Sequence, residues 1–216
     1  MMLANKPKAF HAQRYRDTHN LWFADGSQGE FYLHGGLCWP VAVQSIEEQY
    51  GCAILAGVNV ETGVCHVFEQ FIIDSIEPAY NQHDGRVKSP GLASWLQQVH
   101  SAYGARRYYF NQDESLHRMY LLQVLRSRII DPKPVLVPIS WKTDEEAMSA
   151  MNHWRMNGNL VIAAGTPIER ALQSYRSTPG MKLAQSPPLH ALACLLVGLT
   201  LRPWRKHMQP RDGFRS

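Results

Sequence analysis

Gly51-Cys52-Ala53-Ile54-Leu55-Ala56-Gly57-Val58, then Glu61-Thr62-Gly63, then Val64-Cys65-His66-Val67-Phe68-Glu69-Gln70-Phe71 is the stretch that decides the fold. The first run is apolar throughout, as in a strand buried on both faces. The second alternates, as in a strand with two unlike faces. The short polar link with its glycine is a hairpin turn, so the two strands pair antiparallel. Upstream, Glu30-Phe31-Tyr32-Leu33-His34 is a further strand, expected to end in a tight turn at Gly35-Gly36. Before it, Leu21-Trp22-Phe23 leads into Ala24-Asp25-Gly26-Ser27, and Asp-Gly between apolar runs is a hairpin signal.

Downstream the period changes. Leu92, Trp95, Leu96, Val99 and Tyr103 recur at helical spacing behind Pro90. A tyrosine-rich strand follows over residues 106–110. Asn111 or Asp113 can cap a helix carrying Leu116, Tyr120, Leu121, Val124 and Leu125, which Pro132 and Pro134 stop. Val135-Leu136-Val137-Pro138-Ile139 is a strand whose proline suits an edge or an end. Thr143-x-x-Glu146 and Thr166-Pro167-x-Glu169 are capping boxes, each opening a helix. Residues 159–163 form a small strand between those helices. Ser186-Pro187 starts a last helix, apolar on nearly every side and therefore buried. Residues 80–89 read as an exposed loop. Three meandering strands followed by helix–strand units predict an α/β domain with a mixed sheet and helices on both faces.

The length of 216 residues suits one domain, and 45% hydrophobic residues are ample for its core. Charge concentrates at the ends. Lys6, Lys8, Arg14 and Arg16 mark residues 1–20 as a basic arm; Arg202, Arg205, Lys206, Arg211 and Arg215 mark residues 202–216 as a basic tail. Residues 21–201 are the domain between them. A net charge of +4 permits nucleic-acid contact without requiring it. Trp204 among Arg202, Arg205 and Lys206 suits base stacking beside phosphate contacts, and suits docking on a partner protein equally well.

Cys38, Cys52, Cys65 and Cys194 form no C-x-x-C pair, so buried free thiols are expected, without structural zinc. Residues 1–16 carry no apolar signal segment, and residues 189–201 are too short to span a bilayer. A cytoplasmic protein with no membrane association is expected. Gly35-Gly36 lacks the lysine of a phosphate loop, and there is no G-x-S-x-G elbow.

The order of elements resembles the ribonuclease H-like nuclease domain of phage terminase large subunits. The matching stretches are Phe31 to Gly36, Ala53 to Phe68, Tyr108 to Glu114, Gly158 to Tyr175, and His190-Ala191-Leu192-Ala193. Together they cover roughly residues 30–201. The resemblance implies a metal-dependent nuclease site with carboxylates at the ends of the first and fourth strands and the start of the last helix. Here the first position falls on or near His34 and the third on His190; only Asp113 or Glu114 keeps an acid. Two-metal phosphodiester hydrolysis needs hard, anionic oxygen ligands around magnesium, whereas neutral imidazole prefers zinc-, manganese- or iron-type ions.

The resemblance therefore implies a degenerate nuclease acting as a binding or assembly module, with no cofactor expected. Its partners would be DNA, held through the basic ends, and a terminase ATPase, a portal or a host protein. Two alternatives stay open. One is an active endonuclease, using magnesium or manganese. Asp25 in an Asp-Gly-Ser resembling that of cellular ribonucleases H would restore one acid; His34, His190 and Asp113 would instead form a two-histidine, one-carboxylate site. The other is a host-directed partner-binding or inhibitor protein, which in a viral setting would act in the host cytoplasm.

Overall fold

The computed structural model describes residues 2–3, 9–15, 18–23, 27–38, 51–73, 79–80, 85–89, 91–105, 107–112, 135–177 and 182–201. Its elements in chain order begin with β1 (Met2–Leu3), β2 (Ala9–Tyr15), β3 (Thr18–Phe23), β4 (Gln28–Cys38), β5 (Gly51–Asn59) and β6 (Cys65–Ile73). There follow β7 (Ala79–Tyr80), β8 (Val87–Ser89), α1 (Gly91–Tyr103), β9 (Arg107–Asn111) and β10 (Val135–Ile139). The chain continues through α2 (Asp144–Met156), β11 (Leu160–Ile162), α3 (Pro167–Ser177) and α4 (Pro187–Leu201). The helix expected near Asp113 lies outside the described residues.

The predicted hairpin is β5–β6. Asn59 Oδ1 accepts the Glu61 and Thr62 backbone N–H groups at 3.0 and 2.9 Å. Gly63 then takes φ +69°, a value open to glycine and strained for other residues.

β4 is the hub of the sheet. It pairs antiparallel with β5 along residues 31–38. On its other side, its first half pairs antiparallel with β3 and its second half pairs parallel with β9. β9 in turn pairs parallel with β10, and β11 adds parallel to β6. The path β6-β5-β4-β9-β10 is thus a three-strand meander extended beyond its first strand, β4, by β9 and then β10, each parallel to the strand before it.

Three features depart from the sequence reading. The first is that β4 runs straight through Gly35 and Gly36, where a turn was expected. A Cβ on Gly35 would meet the Tyr108 ring and stand 2.8 Å from the Ile54 carbonyl oxygen. One on Gly36 would run into the Ala191 carbonyl oxygen of α4. The glycines are there for close approach from both faces. The second is that the segment read as a basic arm supplies strands: β2 pairs with β3, and β1 pairs with β11. The third is that the loop expected over residues 80–89 contains a small pairing of β7 with β8.

The sheet is buried on both faces. On one, Phe31, Leu33, Leu37, Leu55, Tyr108 and Phe110 pack with Leu92, Trp95, Leu96 and Val99 of α1. On the other, Ile54, Ala56, Val58, Tyr109, Val137 and Ile139 pack with α4, which α2 and α3 cover from outside. Every α4 residue from Pro188 to Leu199 is buried. That central position explains a helix with no polar stripe. Each of its buried leucines, Leu189, Leu192, Leu195, Leu196 and Leu199, contributes about 1.5–3 kcal/mol by burial, making α4 the main anchor of this layer.

Both predicted capping boxes are present in a variant form. Thr143 Oγ1 accepts the Glu146 N–H at 3.4 Å, and Thr166 Oγ1 accepts the Glu169 N–H at 3.3 Å. The returning carboxylates bond one residue before the cap, Glu146 to the Lys142 N–H and Glu169 to the Gly165 N–H. The cluster of acids over residues 144–146 is the first turn of α2, where it faces the positive end of the helix dipole.

Gly198 provides a sharp stability test. Glycine in a helix costs about 1 kcal/mol relative to alanine, so propensity alone favours Gly198→Ala. An added methyl would, however, enter the Tyr109 ring. The variant is expected to lose about 1–3 kcal/mol in urea unfolding. A gain would show that the helix and the ring separate freely.

Candidate functional site

Of the residues that the resemblance singles out, His34 lies on β4 and His190 at the start of α4, the helix that packs on that strand. His34 lies on the α4 side of the strand, opposite Ala56 on β5 and Arg107 on β9. It is 5% exposed. Its ring stacks on Tyr109 with centroids 5.7 Å apart and planes at 20°. The Tyr109 hydroxyl stands 3.4 Å from His34 Nδ1, placed to donate to an imidazole that carries its proton on Nε2. Burial, followed by the charges of Arg107 and His19, pushes the His34 pKa down to about 3. The imidazole is therefore neutral at any physiological pH, and it is almost wholly removed from solvent.

His190 sits in the first turn of α4, 6% exposed, edge-on to Trp141 at 5.2 Å between centroids. Its neighbour Ala191 touches β4 at Gly36, so the helix start and the strand's second half are packed together. Along β4 from residue 33 to its end, His34, Gly36 and Cys38 lie on this face and Leu33, Gly35 and Leu37 on the other; the strand's carboxylate, Glu30, stands four residues before His34. Neither set holds a carboxylate, and neither does α4. His34 also lies beside the first residue of β9, whereas Asn111 ends that strand four residues on, roughly 13 Å along a strand rising about 3.3 Å per residue.

Asp25, Asp113, Glu114, Arg202, Trp204, Arg205 and Lys206 fall outside the described residues. Among the described residues, no three His, Cys, Asp or Glu side chains gather closely enough to hold a metal ion. All four cysteines are free and buried, as expected. Burial raises the Cys52 and Cys65 thiols to about 12, which leaves them protonated and unreactive. Among the described residues, no helix is long and apolar enough to cross a membrane.

The sequence reading passed over three polar groups that the fold places. A bulge at Phe68, between Leu55↔Glu69 and Ala56↔Val67, inverts the facing of β6. Val67 faces α4, whereas beyond the bulge Gln70 occupies that side and Glu69 turns to α1. The Tyr103 hydroxyl donates to Glu69 Oε1 at 3.0 Å, and Gln70 Oε1 accepts the Ile168 N–H at 3.0 Å, capping α3 from the sheet. The alternation of residues 64–71 gave no hint of the extra residue.

Tyr108 is the third. Its hydroxyl is wholly buried and has no hydrogen-bond partner among the described residues, and burial drives its pKa upward. Leaving such a group unpaired costs about 1–3 kcal/mol. Tyr108→Phe is therefore expected to be neutral or to stabilise by about 1 kcal/mol in urea unfolding. A loss above that size would reveal a bond made by this hydroxyl in solution.

Comparison of the chain with protein families, with curated proteins and with solved structures finds no match.

Proposed function

We propose that this chain is a ribonuclease H-like domain, similar to the nuclease domain of phage terminases, whose cation site has degenerated and which acts by binding rather than by cutting. The observation that carries the reading is a combination. The path β6-β5-β4-β9-β10, with β9 parallel to β4, is the order such a domain uses. The strand and the helix that would each bring a carboxylate instead bring His34 and His190, both buried.

The donor chemistry does not fit magnesium. Magnesium takes hard oxygen ligands in near-octahedral geometry and keeps several waters, which requires an open, anionic site. His34 is a neutral nitrogen donor stacked on Tyr109, and His190 is enclosed beside Trp141. Two absent carboxylates also remove about two negative charges that would hold the cations in a two-metal site. A domain that keeps the scaffold without that charge retains surfaces for DNA or for the packaging ATPase and portal. The basic tail with Trp204 supplies phosphate contacts and a stacking ring.

The test is a plasmid-nicking assay in magnesium and then manganese, run beside binding of labelled duplex and single-stranded oligonucleotides. No cutting is expected, together with DNA binding that weakens steeply with salt and weakens again on deleting residues 202–216. Metal-dependent cutting that Asp113→Ala abolishes would overturn the proposal in favour of an active nuclease. Failure to bind either oligonucleotide at low salt would overturn the DNA role and leave a protein partner.

A further inference from the structure

We draw no further inference here: the strongest candidate, the exposed apolar side chains Met156 and Leu201 at the adjacent C-terminal ends of α2 and α4, carries nothing because nothing in the structure shows what covers them.

Discussion

Gly36→Ala is expected to cost about 3 kcal/mol or more of folding stability. Most overpacked sites relax because a flexible side chain swings away. Here the new methyl would occupy the space of the Ala191 carbonyl oxygen and stand 3.0 Å from Leu195 Cβ. Both belong to α4, which the sheet holds on one side and α2 and α3 on the other. The helix cannot retreat without opening the whole layer. β4 cannot retreat either, because β5 and β9 bond to it at that level. Urea unfolding of the variant against the parent chain measures the loss. A difference below about 1 kcal/mol, the size of an ordinary surface change, would mean that α4 does not lie directly on β4. The proposed function would then lose its geometric basis, since the packing of that helix start on that strand is what brings positions 34 and 190 into one layer.

The second large effect is on acid stability, and it belongs to His34. In the unfolded chain this imidazole takes up a proton near its ordinary value of 6.5; in the folded chain it resists until about pH 3. Its folded pKa is depressed. Its contribution is therefore fully present above pH 6.5 and is lost as the pH falls through 6.5 toward 3, because the unfolded state gains a proton that the folded state refuses. At about 1.4 kcal/mol per pH unit between 6.5 and about 3, the full effect is on the order of 5 kcal/mol, comparable with a large part of a domain's net stability. His34→Gln keeps a polar group beside the Tyr109 hydroxyl and removes the titration. Unfolding free energies measured from pH 7 to pH 4 should diverge, with the parent falling more steeply than the variant. Histidines that do not interact with His34 are common to both proteins and cancel in the difference. Parallel acid limbs would show that His34 is solvated or already charged in the folded state. In that case it would be available as a ligand or a base, and the enclosed, inert imidazole on which the degenerate-site reading depends would be gone.

The two variants separate packing from charge. Gly36→Ala should lower stability by a similar amount at every pH, since it introduces no titrating group. His34→Gln should matter little for the slope above pH 6.5 and increasingly below it.

Local sequence determined a good deal about this chain. The β5–β6 hairpin was legible because its turn chemistry lies within five residues: Asn59 folds onto Glu61 and Thr62, and Gly63 takes the left-handed backbone. The starts of α2 and α3 were legible for the same reason, since a threonine and a glutamate three residues on satisfy the amides of their own first turn. The near-uniform apolarity of residues 189–199, broken by His190, already indicated that α4 is enclosed on nearly every side.

What the tertiary structure alone decided involves partners far away in the chain. Gly35-Gly36 has the composition of a turn, and only the Tyr108 ring and the α4 backbone reveal that the glycines make room inside a continuous strand. The bulge at Phe68 leaves the residue pattern of β6 unchanged, yet it decides that Glu69 meets Tyr103 while Gln70 caps α3. His34 is a polar residue on an alternating strand until Tyr109, 75 residues on, closes over it. Short-range hydrogen bonds are fixed by neighbouring residues and can be read from them. Strand order, close approach and desolvation depend on which distant surfaces meet, and those are set only when the whole chain has packed.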